Sequence, residues 1–241
     1  MSTQTVHTDL IVLNRLRYGE TSLIVRAFTR ELGLQSYLVK GVLGVKKKGL
    51  RASYFQSLTL LNAVVTTSNT SQLYTIKEAK PLLIGQGYLS DVLKSNVALF
   101  MAEVIASVLS EGHPEPDLFD FALDQVALLE SEKPRSDFLI GFLIGTTRFL
   151  GCYPDQEYKK GQVFDLNEGT FTDTFSASKA LSVQASARLA VYLGIDFDNE
   201  TPHNDVKAMR KELIEGLLDY LSAQIAGFKY PKSLEIIQSI F

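Results

Sequence analysis

The chain has 241 residues, of which 46% are hydrophobic and 21% charged, with a formal net charge of −3 and one cysteine, Cys152. That is enough apolar material for a substantial core, as two domains or one large one, and it excludes both an internal disulfide and a cysteine-rich zinc module. Apolar runs such as FLIGFLIG at 138–145 are broken well before the roughly 20 residues needed to cross a bilayer, and the first residues lack the pattern of a secretory signal, so a cytoplasmic protein with no membrane partner is expected.

Taken in chain order, TDLIVLNRLRYGETSLIVRAFTRELGLQSYLVKG alternates β-branched and polar residues, with YGET and RELG reading as turns. Three strands are predicted, His7 to Arg17, Ser22 to Thr29 and Leu34 to Val39. FQSLTLLNAVVTT at 55–67 and LYTIKEAKPL at 73–82 supply two more. Five short strands in about 80 residues, with no room for helical crossovers, make a small antiparallel barrel or sheet; the oligonucleotide-binding fold and an SH3-like barrel are both candidates.

From Tyr88 onward the period becomes helical. SDVLKSNVALFMAEVIASVLSEG spaces Val92, Leu93, Val97, Leu99, Phe100, Val104, Ile105 and Val108 along one broad face, with Ser90 expected as N-cap and Gly112 as stop. PEPDLFDFALDQVALLESE is a second helix, with acidic residues in its first turn. RSDFLIGFLIGTTRFLGCYP is a third, apolar enough to be central. GQVFDLNEGTFTD reads as a small hairpin turning at Asn167, Glu168 and Gly169. Helices resume at SASKALSVQASARLAVYLG and NDVKAMRKELIEGLLDYLSAQIAG, and FKYPKSLEIIQSIF closes the chain as a tail. The expected architecture is α+β: a β domain over 1–82 and a helical domain over 83–241, with the small hairpin at about 150–176.

Charge divides the chain at the same place. The first 80 residues carry 11 Lys+Arg against 4 Asp+Glu, the rest 13 against 23, and no acidic residue lies between Glu31 and Glu78. That interval holds VKGVLGVKKKGLRASY at 39–54, five cations and three glycines between two apolar runs. Cations on a flexible connection suit a polyanion: about five phosphate contacts on a single strand would give a slope of log K against log salt near −3.5. Lys40, Lys46, Lys47, Lys48 and Arg51, with Arg15 and Arg17 of the same basic domain, are the candidate nucleic-acid-binding residues. Tyr18, Phe28, Tyr37, Tyr54, Phe55 and Tyr74 are the aromatics available for stacking, of which one or two are expected to be exposed.

Other chemistries find little support. GVLGVKKKG has neither the spacing nor the hydroxyl of a phosphate-binding Walker loop, and GQGYLS offers two glycines of a dinucleotide fingerprint without the third. GVLG matches the KH-domain loop but leaves a strand rather than joining helices. His7, His113 and His203 lie in unrelated segments, Cys152 ends an apolar helix as a small hydrophobe, and the pairs Asp117 with Asp120 and Asp196 with Asp198 mark helix starts and turns. No catalytic residue and no metal ligand is assigned.

LIVLNRLRYGETSLIVRAFTRELGLQSYLVKGV followed by KKKGLRASYFQSLTLL resembles the N-terminal domain of the RecO family of bacterial recombination mediators. Tyr18, Gly19, Glu20, Ser22, Leu23, Phe28, Thr29, Gly33, Lys40 and Gly41 fall on that family's pattern, and RFLGCYPD and PKSLEIIQSI look like its later segments. The resemblance implies an oligonucleotide-binding barrel followed by a helical domain. It also implies a non-enzymatic function in DNA repair: binding single- and double-stranded DNA, annealing complementary strands, and loading the recombinase with RecR onto DNA coated by single-strand-binding protein, at the nucleoid. Many relatives carry a four-cysteine zinc module after the G-Y-x-P segment; here only Cys152 precedes it, so no zinc and no other cofactor is expected and the hairpin must be held by packing. The acidic, apolar-tipped tail of single-strand-binding protein calls for an apolar pocket rimmed by cations on the helical domain, with Lys94, Arg148 and Arg188 as candidates. A different class remains open, a protein-interaction adaptor whose basic loop binds an acidic partner.

Overall fold

The alternation after His7 does form a strand, and a longer one than expected. β1 spans Thr3–Tyr18, followed by β2 (Ser22–Thr29), β3 (Gly33–Val39), β4 (Leu60–Ser68) and β5 (Tyr74–Pro81) in a computed structural model that describes residues 3–44, 49–68, 73–82, 87–173, 179–195 and 206–240. β1 pairs with β4 through its first half and with β2 through its second, and β3 meets β5 in parallel at Tyr37↔Tyr74 and Leu38↔Thr75. The order β1-β2-β3-β5-β4 closes a barrel, the five-stranded oligonucleotide-binding fold rather than an SH3-like one. Inward-facing residues at alternate positions, among them Leu10, Val12, Leu23, Val25, Ala27, Tyr37, Val39, Leu61, Ala63, Val65 and Ile76, fill it.

The fourth strand starts later than Phe55. Ala52–Phe55 forms a 3-10 turn whose Phe55 side chain is fully buried in the barrel core, so burial rather than β pairing accounts for the aromatic there. Leu58 follows at φ +66, a conformation L-residues avoid. Two neighbours hold it: its N–H donates to the Val12 carbonyl, and its own carbonyl accepts from the Tyr88 hydroxyl at 2.9 Å. Tyr88, in a second 3-10 turn at Gly87–Leu89, is itself fully buried, and burial pushes its hydroxyl pKa well above the usual range. Its backbone N–H and that of Gly87 donate to the Glu130 carboxylate at 3.0 and 2.9 Å.

Two helices accompany the barrel. α1 (Val92–Val108) buries Val97, Phe100, Met101, Val104, Ile105 and Val108, an i, i+3, i+4, i+7 stripe. Its N-cap is Asp91, which accepts from the Lys94 N–H, whereas Ser90, the expected cap, donates to the Gly87 carbonyl. α1 also ends before Gly112; that glycine, at φ +76, donates its N–H to the Leu34 carbonyl, and Glu111 bridges Leu34 in parallel. α2 (Pro116–Ser131) brings Phe119 edge-on to Phe28 of β2 at 5.3 Å. The chain groups into two compact units, Met1–Lys133 with Pro231–Ser233, and Pro134–Tyr230 with Leu234–Phe241. Within the first, the Ser233 N–H and hydroxyl both donate to Glu103.

In the second unit α3 (Phe138–Phe149) and α5 (Lys207–Gln224) pack together, with α3 buried on most sides as its composition demands. The hairpin is β6 (Val163–Phe164) and β7 (Phe171–Thr172). Its turn is held by the buried Asp165 carboxylate, which accepts from the N–H groups of Asn167 and Glu168. α4 (Val183–Tyr192) is capped by Ser182, and the expected tail forms a further helix, α6 (Leu234–Ile240).

Two substitutions test these supports by chemical denaturation. Tyr88→Phe leaves the buried Leu58 carbonyl unpaired and is expected to cost about 1–3 kcal/mol. Gly169 sits at φ +72, and a Cβ there would lie 2.5 Å from the Tyr220 hydroxyl, so Gly169→Ala combines backbone strain with overpacking and is expected to cost about 2–4 kcal/mol.

Candidate nucleic-acid interface

β1 outruns its pairing with β4, which ends at Ile11↔Leu60, and continues alongside β2 as far as Tyr18↔Ser22. Between Val12 and Asn14 the register shifts by one. The extra residue reverses which side chains face inward: Val12 stands opposite the core residue Ala27, but beyond the bulge it is Arg15 and Arg17 that stand opposite the core residues Val25 and Leu23. Both arginines are nevertheless exposed, because they lie past the level at which β4 closes the wall. Arg15 Nη1 donates to the Ala52 carbonyl at 2.9 Å; Arg17 donates to the carbonyls of Gly19 and Glu20 at 3.4 and 3.2 Å. Each guanidinium has five N–H groups, so donors remain for a ligand.

The basic loop leaves and returns at the same end. The Leu43 N–H donates to the Thr21 carbonyl and that of Gly41 reaches the Ser22 hydroxyl, which lays the start of the loop against the β1–β2 turn. Gly41 and Gly49 take φ +69 and +79, a conformation open to glycine. Lys40 and Arg51 are exposed on either side, and Leu50 packs against the barrel core. Lys46, Lys47 and Lys48 lie outside the described residues. Among the described residues, none of Arg15, Arg17, Lys40 and Arg51 lies within ion-pair distance of a carboxylate.

The barrel's other two arginines differ. Arg30, beside the β2–β3 turn, donates to both carboxylate oxygens of Asp120 at 2.9 and 2.7 Å. That hydrogen bonding holds the Asp120 carboxyl below its usual pKa. Arg26 stands on the outer face of β2, with Nη2 3.6 Å from a Glu111 oxygen. It is absent from the residues picked out in the sequence, although its alternation with Val25 and Ala27 puts it on that face.

The outer face of β1, β2 and β3 is layered by register. Tyr18 and Ser22 form the layer nearest the loop, then Leu16, Ile24 and Leu38, then Asn14, Arg26 and Ser36. Of the six candidate aromatics, Tyr18 is exposed at 54%. Phe28, Tyr37 and Phe55 are fully buried, and Tyr54 and Tyr74 are half-buried.

The remaining candidates are dispersed. Lys94 lies in the first unit and donates from Nζ to the Glu130 carbonyl. In the second, Arg148 is exposed at the last turn of α3, whereas Arg188 is 7% exposed with its guanidinium 5.0 Å from the Tyr192 ring centroid. Cys152 is half-buried, and burial pushes its thiol pKa up. His203, Asp196 and Asp198 lie outside the described residues. Among the described residues no group of His, Cys, Asp and Glu side chains is placed to hold a metal ion, and no helix is long and apolar enough to cross a membrane.

Known proteins resemble nearly the whole chain. The family descriptions "Recombination protein O N terminal" and "Recombination protein O C terminal" match residues 1–84 and 89–234. The DNA repair protein RecO of Christiangramia forsetii is 34% identical over 243 residues, covering 98% of this chain and 99% of the relative. That of Flavobacterium johnsoniae is 34% identical over 236 residues with the same coverage, and that of Phocaeicola vulgatus 30% identical over 234. With its barrel, its helical part and its full-length similarity to these proteins, the chain belongs to the RecO family, recombination protein O.

Proposed function

We propose that this chain is a recombination mediator in DNA repair that binds single- and double-stranded DNA, anneals complementary strands and, with RecR, helps load the recombinase onto DNA coated by single-strand-binding protein. The observation that carries it is the gathering of Arg15, Arg17, Lys40 and Arg51, none ion-paired among the described residues, at the barrel end where the loop of Lys46, Lys47 and Lys48 departs. Phosphate neutralisation binds DNA without reading its sequence. It also supplies the physics of annealing: two strands whose phosphates are neutralised repel each other less, and a sequence-blind grip lets bases search for complements. Tyr18 offers a stacking surface beside the cations.

The chain acts in this reading by binding rather than by bond chemistry, needs no cofactor, and works in the cytoplasm at the nucleoid. We take the nucleic-acid-binding part as 1–82 and the helical part as 83–241, near the break between the two family descriptions, which match 1–84 and 89–234. For the acidic tail of single-strand-binding protein, Arg148 is the exposed member of the three candidate cations, whereas Lys94 is half-buried and Arg188 is buried.

The test is fluorescence anisotropy of a labelled oligonucleotide across a salt series. The variant Lys46→Glu, Lys47→Glu, Lys48→Glu is expected to weaken binding roughly tenfold or more and to flatten the log–log salt slope by about 2, three contacts at about 0.7 each. Titrations that match the wild type would remove the DNA-binding reading.

A further inference from the structure

Two arginines of the barrel face carboxylates on the polypeptide that follows it, and they are bound very differently. Arg30 makes two hydrogen bonds to Asp120. Arg26 makes one long contact, 3.6 Å, to a Glu111 side chain that is 69% exposed, and its Nε is buried with no hydrogen-bond partner among the described residues. The first geometry is a committed bidentate pair. The second is an exposed pair of the kind that contributes little and exchanges readily.

Glu111 is nonetheless held in place. Its backbone bridges Leu34 of β3, the Gly112 N–H donates to the Leu34 carbonyl at 3.0 Å, and a Cβ on Gly33 would meet the His113 carbonyl at 2.1 Å. The segment is therefore laid closely along the start of β3, and its carboxylate is delivered to the outer sheet face beside Arg26. There a carboxylate oxygen occupies the position that a phosphate oxygen would take against the same guanidinium.

The surroundings suit a single strand. From Arg26 the outer face runs through the partly exposed row Leu16, Ile24 and Leu38 to Tyr18 and, just past the end of β3, Lys40. Ser36, in register with Arg26, is four residues from Lys40, about 13 Å of strand rise. A cation thus stands at each end of an apolar and aromatic strip, phosphate contacts flanking a surface for unpaired bases.

We infer that Arg26 is a further DNA contact and that Glu111 is its built-in competitor, occupying the guanidinium in the free chain and yielding it to a backbone phosphate when a single strand lies along the sheet face. The inference rests on the DNA-binding reading and adds to it a residue on the sheet face, away from the loop, and a reason for readily reversible affinity. Glu111 lowers the net attraction of this face for DNA without blocking it.

A double-mutant cycle on the full chain tests it, with oligothymidylate about 16 nucleotides long as probe. Glu111→Gln keeps the side-chain shape and the backbone pairing, and melting temperatures of all variants serve as the folding control. Glu111→Gln is expected to tighten binding roughly two- to fivefold. Arg26→Gln is expected to weaken binding and flatten the salt slope by about 0.7. In the Arg26→Gln background the Glu111→Gln gain is expected to vanish. A gain that persists undiminished there is a long-range charge effect and overturns the inference, as does intact, salt-sensitive binding that ignores Glu111. A gain for a polyglutamate peptide with none for the oligonucleotide assigns the pair to an acidic protein partner and likewise overturns it. If the wild-type chain leaves the oligonucleotide free at low salt, the DNA-binding reading falls and takes this inference with it.

Discussion

Between Val12 and Asn14 the first strand takes in one residue more than its neighbour, and most of the candidate interface depends on that bulge. A strand has a side-chain period of two, so a single added residue exchanges its faces. Up to Val12 the inward positions of β1 carry Val6, Leu10 and Val12, with the buried Thr8 among them; after it they are arginines, which no sealed core accepts without partners. The conflict is resolved because β4 has already left the sheet at that level, so the inward side opens on solvent. Leu58 and Thr59 occupy the vacated edge, exchanging backbone hydrogen bonds with Val12, and the Ala52 carbonyl receives Arg15. The bulge therefore ends the core, seats the turn that closes the basic loop, and aims two cations at the loop's end of the barrel.

The second unit handles a different constraint, a hairpin with two-residue strands and, among the described residues, no group of side chains placed to hold a metal ion. Tyr158 and Phe171, Phe164 and Phe171, and Phe164 and Tyr220 stack edge-on or tilted at centroid distances of 5.0, 5.2 and 5.4 Å, while the Tyr220 hydroxyl donates to the Cys152 carbonyl. Three aromatic pairs contribute about 2–4 kcal/mol beyond the area they bury, against about 10–16 kcal/mol for a structural zinc ion. Packing of this size does not make the hairpin an independent element. It makes the hairpin an extension of α5, which supplies Tyr220, and the close seating of Gly169 under that ring follows.

What was readable in the sequence was local. The span Ser22–Thr29 was legible residue for residue, because Leu23, Val25 and Ala27 alternate with Ser22, Ile24 and Arg26 between two turn signals. So was the hairpin turn at Asn167, Glu168 and Gly169. Phe55 misled because an aromatic beside β-branched residues reads as strand, whereas its neighbours form a 3-10 turn that burial stabilises. The helix cap moved from Ser90 to Asp91 because both residue types cap well, and tertiary hydrogen bonding of Ser90 to Gly87 decided between them. Composition placed the basic loop between the third and fourth strands. It did not reveal that Arg15 and Arg17 share its end of the barrel, which needs the bulge, nor that Glu111 meets Arg26 across 85 residues of chain.

Six of the barrel's described cations then form a graded series rather than one uniform patch. Arg30 is locked to Asp120 and serves the packing of α2 on the barrel. Arg26 is held loosely and at long distance by Glu111. Arg15 and Arg17 are bound only to neutral carbonyls, which orient a guanidinium without cancelling its charge, and Lys40 and Arg51 are exposed beside the loop. Charge is least compensated at the loop end and most compensated at the opposite end, so the field of the barrel has a direction although the chain as a whole is slightly acidic. Under the proposed DNA-binding reading, a polyanion would meet the loop end first, and contact along the sheet face would compete with the weak pair of Arg26 and Glu111. In that reading the grip comes from phosphate contacts, whose counterion release makes it steep in ionic strength and indifferent to base sequence, while the salt that weakens those contacts also screens the competing Glu111 pair.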